Sequence, residues 1–202
     1  MKRVLLSMTM TFDGFFCGPN GELDWMSQVP DTQLNDDTVA FFDQVDSGFI
    51  GYPTGVGMIA YWAGVAANPA ASEAEHAIAK AVNKLHPILV SNRDEKAPSD
   101  KVELLVAKTD DELIAAVAKV KQRPGKDVAI SGGVRTAQMF VRLGLIDQYV
   151  ITVHPVAIGN GKKVFSERTS LELIKSQAYK SGVVRMVFLP GQKTSNSPSD
   201  RG

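Results

Sequence analysis

The sequence predicts an α/β fold: a mixed, mostly parallel sheet flanked by helices and finished by a C-terminal antiparallel hairpin. Three observations predict it. Short apolar runs alternate with stripes of helical period over the first two thirds of the chain, the pattern of strand-helix-strand units. Ser72 with Glu75, and Thr109 with Glu112, have the spacing of capping boxes, in which a hydroxyl and a carboxylate satisfy the N–H groups of a helix start. Residues 171–180 and 183–189 straddle Ser181-Gly182, as two strands joined by a turn would.

Taken in order, residues 3–10 are apolar and alternating and run into Thr11-Phe12-Asp13-Gly14, so a first strand ends in a turn. Val39, Phe41, Phe42 and Val45 set a helix over 38–45, and residues 47–50 form a short buried strand ended by Gly51. The helix opened at Ser72 carries Ala74, Ala77, Ile78, Ala81, Val82 and Leu85 until Pro87 stops it, and residues 88–90 are again a buried strand. Residues 102–106 form a further strand. The helix opened at Thr109 runs to Lys121 and is terminated by Arg123-Pro124-Gly125. Residues 128–130 lead through Ser131-Gly132-Gly133 into a helix whose Val134, Ala137, Phe140, Val141 and Leu143 face inward, with Gly144 just past its end. Residues 149–153 make one more strand before the loop Gly159-Asn160-Gly161.

Composition narrows the function classes. With 202 residues, 44% hydrophobic and 22% charged, the chain can bury a core of its own, and one domain over residues 1–191 is expected. Residues 192–202 offer almost nothing apolar and are expected to be a disordered polar tail. Twenty-two basic residues balance 22 acidic ones, so no net field draws a nucleic acid or an anionic membrane. No run reaches the ~18 apolar residues of a membrane span, and the first residues lack the apolar region of a signal peptide. The single Cys17 excludes an internal disulfide and fits a reducing cytoplasm; with three scattered histidines, no metal site is expected.

The most informative local motif is Ile130-Ser131-Gly132-Gly133-Val134, a strand passing through glycines into a helix. A helix N-terminus presents unpaired N–H groups and partial positive charge, and glycines let a pyrophosphate approach the backbone. The plainer alternative is a tight strand-to-helix turn. The motif is not G-x-G-x-x-G, so a Rossmann unit is disfavoured.

The residues that follow continue as Arg135-Thr136-Ala137-Gln138-Met139-Phe140, then Gly144-Leu145-Ile146-Asp147-Gln148-Tyr149, then His154-Pro155 through Gly159-Asn160-Gly161 to Phe165. This succession resembles the C-terminal reductase domain of the riboflavin-biosynthesis bifunctional deaminase-reductase and its stand-alone relatives, which share the dihydrofolate reductase fold. Thr11-Phe12-Asp13-Gly14-Phe15 and Gly21-Glu22-Leu23-Asp24-Trp25 resemble the same family's Asp-Gly and Asp-Trp loops, and the likeness covers roughly residues 2–190. It implies NADPH as cofactor, with the pyrophosphate on Ser131, Gly132, Gly133, Val134 and Thr136, and the adenosine half near Gly51, Thr54, Ser91 and Arg93. It also implies a small-molecule substrate and allows a homodimer. One departure stands out. Relatives commonly have Arg directly after the first of these glycines; here it is Tyr52, followed by Pro53, which admits NADH as well unless Arg93 grips the ribose 2′-phosphate.

Asp24 and Asp31 are the candidate proton donors, with a helix-cap or loop role as the alternative for each. Asp13, Trp25 and Gly159 are the candidate substrate residues; Trp25 would stack on a flat ring or simply pack. His76 and His86 read as surface residues and His154 as structural; Lys162-Lys163 reads as a solvated turn. Three functions follow: a reductase acting on a ribosylamino C=N or sugar carbon, a dihydrofolate or pterin reductase on the same fold, and a non-catalytic nucleotide-binding module. The deaminase half needs a Cys-ligated zinc, which one cysteine does not supply.

Overall fold

The computed structural model describes residues 1–26 and 30–192. Most of the tail expected beyond residue 191 lies outside them. The described chain folds as β1 (Val4–Thr11), α1 (Thr32–Asp43), β2 (Val45–Gly51), α2 (Tyr52–Ala67), α3 (Glu73–Val82), β3 (His86–Ser91), β4 (Glu103–Val106), α4 (Asp110–Lys121), β5 (Asp127–Ile130), α5 (Val134–Arg142), β6 (Gln148–His154), β7 (Leu171–Ala178) and β8 (Val184–Pro190). One sheet carries the strands in the order β4-β3-β2-β5-β1-β6-β8-β7. It is parallel from β4 to β6, and β8 and β7 add the expected antiparallel pair. This is the mixed, dihydrofolate-reductase-like α/β arrangement that the sequence predicts.

Alternation along β1 divides the core. Val4, Leu6, Met8 and Met10 face one side, where they join Phe49, Ile88, Val128, Ile130 and Ile151 beneath Leu113, Val117 and Val120 of α4 and Ala137 and Phe140 of α5. Leu5 faces the other side with Ala129, Val150, Val45 and Phe41 of α1. A strand buried on both faces must read as a nearly continuous apolar run, and the first half of β1 does.

Several end signals act as the sequence leads one to expect. Ser72 Oγ accepts from Glu75 N, and Glu75 Oε2 accepts from Ser72 N at 2.8 Å, a complete capping box on α3. At α4 the box is half displaced: Thr109 Oγ1 accepts from Glu112 N, but the Glu112 carboxylate takes the N–H of Lys108 instead, at 2.6 Å. Gly144, at φ +67°, closes α5 as the left-handed residue, with its N–H on Val141 O and that of Leu145 on Phe140 O.

Two elements differ from expectation. The helix expected at 38–45 begins six residues earlier, at Thr32, because Asp31 caps it and its first turns are polar and carry no apolar stripe; Val45 belongs to the next strand. No element is expected between Gly51 and Ser72, yet α2 spans sixteen residues there. Gly55, Gly57 and Gly64 lower its helix propensity, and the absence of charged residues removes any polar face to define a stripe. Tertiary packing decides it: Gly55 sits so close to Ile50 and Leu89 that a Cβ there would strike the Leu89 side chain.

Candidate active site

Three helices begin with a side-chain cap: α1 on Asp31, α3 on Ser72 and α4 on Thr109. The remaining two described helices do not. Gly51 precedes α2 and Gly133 precedes α5, neither offers a capping side chain, and neither helix has an acidic residue in its first turn. Both therefore retain unpaired N–H groups and an uncompensated positive end. Because α2 leaves from β2 and α5 follows β5, and these strands are neighbours, the two N-termini meet at the C-terminal edge of the sheet.

The meeting is close. A Cβ placed on Gly133 would lie 3.5 Å from Gly51 N and 3.6 Å from Oγ1 of both Thr54 and Thr136. One on Gly51 would collide with the Thr136 hydroxyl, and one on Gly132 with the Met58 thioether. Gly133 has φ +79°, in the left-handed region. Thr136 is only 6% exposed. Five of the expected cofactor residues, Gly51, Thr54, Gly132, Gly133 and Thr136, thus share one glycine-floored crevice, while Val134, the first residue of α5, packs against the core and Ser131 precedes the glycine pair in the chain. Ser91 ends β3, one residue beyond Val90, which pairs with Gly51. Exposed Arg93 follows, its N–H donating to Ser91 Oγ at 3.1 Å. The Tyr52 hydroxyl donates to Lys96 O at 2.8 Å and so ties the loop after β3 to α2.

The loops after β1 and β6 interlock beside this crevice. Asp13 accepts from Thr11 Oγ1 at 2.6 Å, from Gly159 N at 2.7 Å and from Ile158 N at 3.1 Å. The Thr11 hydroxyl, against some opposing desolvation and aided by those N–H groups, holds its carboxyl below the usual range. Two expected substrate residues, Asp13 and Gly159, are therefore brought together but bonded to each other. Trp25 is half-buried and meets His154 edge-on, ring centroids 5.5 Å apart, and its buried indole N–H has no acceptor among the described residues. Burial pushes the His154 pKa down, which keeps the ring neutral at pH 7. Asp24 is exposed in the turn just before Trp25.

Asp31 is placed differently from a free acid. Its Oδ1 accepts from Leu34 N as the α1 cap, and its Oδ2 accepts from Ser181 N at 3.0 Å in the β7-β8 turn. The Ser181 N–H first, then that of Leu34, hold the carboxyl below the usual range, so at neutral pH it is an ionised acceptor fastening α1 to the hairpin. Asp31→Ala is accordingly expected to lower Tm with little change in coenzyme Kd, measured by thermal melts with and without NADPH. Because the folded pKa is depressed, this tie is intact above the ordinary Asp pKa and is lost as pH falls through the lower folded value.

Sequence reasoning missed a row of polar side chains under α1. On the face that packs Leu5, β1 continues Ser7, Thr9, Thr11; Thr9 pairs with Thr152 of β6, which pairs with Arg185 of β8. Thr11 and His154 make the next row toward the sheet edge. The signal was present as Ser7-x-Thr9-x-Thr11 inside an apolar strand, but the partners lie more than 140 residues away. A groove of about 380 Å³, lined in part by Gln138, Arg142, Tyr149, Ser166 and Pro190, contains none of the crevice residues. Concavity alone would therefore point to the other end of α5.

The profile of the RibD C-terminal domain matches residues 2–185. The chain belongs to that family. It is 28% identical over 190 residues to the uncharacterized protein YyaP of Bacillus subtilis (strain 168), covering 93% of this chain and 94% of YyaP. A putative riboflavin biosynthesis protein from Shewanella sp. PV-4 superimposes with a TM-score of 0.68 at 22% identity, over 94% of this chain and 99% of that one. A diaminohydroxyphosphoribosylaminopyrimidine deaminase/5-amino-6-(5-phosphoribosylamino)uracil reductase from Thermotoga maritima gives 0.60 at 12% identity, over 94% of this chain and 57% of that one. At these identities the structural likenesses show the fold. Membership makes the chain a riboflavin-biosynthesis reductase-like domain, and among the described residues no helix is long and apolar enough to cross a membrane.

Proposed function

We propose that the chain is an NAD(P)H-dependent reductase of the riboflavin-biosynthesis type, delivering hydride to a C=N or sugar carbon of a small heterocycle-bearing substrate. The observation that carries this reading is the convergence of the two uncapped helix N-termini at Gly51 and Gly133, a cradle for a pyrophosphate. Gly51, Thr54, Ser131, Gly132, Gly133, Val134 and Thr136 would hold the dinucleotide, and Ser91 and Arg93 its adenosine end. When bound, a reduced nicotinamide supplies the hydride. The chain's own part is to orient the two reactants, exclude water and provide a proton, for which Asp24 beside Trp25 is the candidate. A cytoplasmic homodimer fits the same reading.

The test is coenzyme binding. NADPH, NADH or both should raise Tm, since a ligand that binds the native state must stabilise it; no shift with either would sink the proposal. Tyr52 supplies no charge for a 2′-phosphate, and its hydroxyl is engaged with Lys96. If Arg93 takes that role, Arg93→Ala should weaken NADPH by about 10–150-fold, the equivalent of ~1.5–3 kcal/mol for one charge-assisted bond, and leave NADH unchanged. Equal effects on the two coenzymes would remove Arg93 from the phosphate site. Substrate screening with dihydrofolate as one arm then separates this reductase from a pterin reductase.

A further inference from the structure

Beside the crevice, the loops after β1 and β6 are tied to each other at two heights by backbone. Phe12 N–H donates to Val156 O at 2.7 Å; further out, Phe16 N–H donates to Lys162 O at 2.8 Å and Lys162 N–H returns to Cys17 O at 2.9 Å. At this outer height the fit is tight. A Cβ on Gly161 would strike the Cys17 carbonyl, and Lys163 Nζ lies 4.8 Å from the centre of the Phe15 ring. Between the two heights each loop makes a turn through a left-handed glycine, Gly14 at φ +85° and Gly159 at φ +73°. Glycine leaves such turns many other conformations, so the backbone pairs alone leave the two turn tips free to separate.

Asp13 joins the tips. Among the described residues it is the single side chain hydrogen-bonded between the two loops. Its Oδ2 accepts from Gly159 N at 2.7 Å and from Ile158 N at 3.1 Å, and its Oδ1 accepts from the Thr11 hydroxyl at 2.6 Å. Thr11 is buried at the end of β1, paired with His154 at the end of β6, and its hydroxyl in turn accepts from Phe15 N at 2.9 Å. One carboxylate oxygen is thus anchored on the sheet edge while the other holds the β6 loop. Two successive N–H groups converging on one oxygen make a nest that a carboxylate fills, and hydrogen bonds to an ionised group are the strong kind. With both oxygens engaged as acceptors, Asp13 has no proton to give.

We propose that Asp13 is the positioning residue of the substrate wall: it holds the β1 and β6 turns at one fixed separation, and with them the Trp25–His154 contact, so that the wall stands formed before a substrate arrives instead of closing over it. A wall placed in advance serves the reaction through orientation. The inference rests on the reductase reading for what lies against the wall, but the clasp itself is testable without a substrate.

Asp13→Ala and Asp13→Asn are compared with the unaltered loop in a Trp62→Phe background, which leaves Trp25 as the sole tryptophan. Three quantities are read: amide hydrogen exchange, acrylamide quenching of Trp25 emission, and the Tm shift with NADPH. Asp13→Ala should exchange its Ile158 and Gly159 N–H groups at least about tenfold faster, the scale of a lost bond to a charged group. Its Trp25 should be quenched more strongly, and energy transfer from Trp25 to bound NADPH should change while the NADPH shift in Tm is kept. Asp13→Asn retains one acceptor oxygen and should fall between the two. A lowered Tm with Trp25 quenching and energy transfer as in the parent would make Asp13 a stabiliser of the fold alone and overturn the proposal, as would unaltered exchange at Ile158 and Gly159. Absence of the NADPH shift from the parent overturns the reductase reading instead, and exchange and quenching still decide the clasp. If Asp13→Ala does not fold, Asp13→Asn carries the test: faster exchange and stronger quenching are expected, and parental values are fatal.

Discussion

Gly133→Val should weaken NAD(P)H binding at least ~100-fold, about 2.8 kcal/mol, in a protein that still folds. Two effects add. The backbone at Gly133 has φ +79°, where a β-branched residue is a strong outlier costing ~1–3 kcal/mol. The new side chain also enters the space between Gly51 N, Thr54 Oγ1 and Thr136 Oγ1, each 3.5–3.6 Å from the position of its first carbon. Gly133→Ala separates the two, because one methyl bears the strain yet makes only ordinary contacts there. Coenzyme Kd by fluorescence titration, with a melt to confirm folding, is the measurement. An unaltered Kd in a folded Gly133→Val protein would mean that the pyrophosphate does not lie on this crevice.

The largest loss of stability is expected from Phe140→Ala. Phe140 is fully buried, its ring 5.1 Å from that of Phe49, and it sits on α5 above the centre of the sheet. Removing a buried phenyl costs ~3–5 kcal/mol through lost transfer energy and the cavity left behind, a large part of the ~5–15 kcal/mol that holds a typical domain together. For a chain of this size each kcal/mol moves Tm by ~2–4 °C, so a drop of roughly 6–20 °C is expected. Denaturant titration reads the same quantity, and a loss below ~1 kcal/mol would contradict the packing of α5 on β2 and β5. Because α5 also presents Gly133 and Thr136, coenzyme affinity should fall with it.

Features written in consecutive residues are legible in the chain itself: the capping boxes, the hairpin around Ser181-Gly182, the turn at Gly144 and the glycine pair before α5. Gly133 is legible in the same way as a strand-to-helix step, whereas Gly51 and Thr54 join it only through the family resemblance, because no helix is expected after Gly51. Illegible features depend on distant partners or on signals that propensity weighs against. The glycines of α2 argue against a helix until Gly55 is seen against Ile50 and Leu89. Asp31 resembles a free loop acid until Ser181, 150 residues away, is found donating to it. The Thr9-Thr152-Arg185 row comes from three separate elements, and no spacing in the chain announces it.

The position of β1 has a consequence for how the chain is made. It precedes the other seven strands of the sheet in the chain, yet it lies between β5 and β6, and Arg3 N–H meets Asp127 across 124 residues. At ~5–20 residues per second the ribosome needs roughly 6–25 s to deliver that partner. Throughout that interval Val4-Leu5-Leu6 and the alternating methionines have neither neighbouring strand, and both edges of an apolar segment stand open to other nascent chains. Folding dominated by such remote pairings is slow. Yield on expression should therefore respond to translation rate and chaperone supply more than to the stability of the finished molecule.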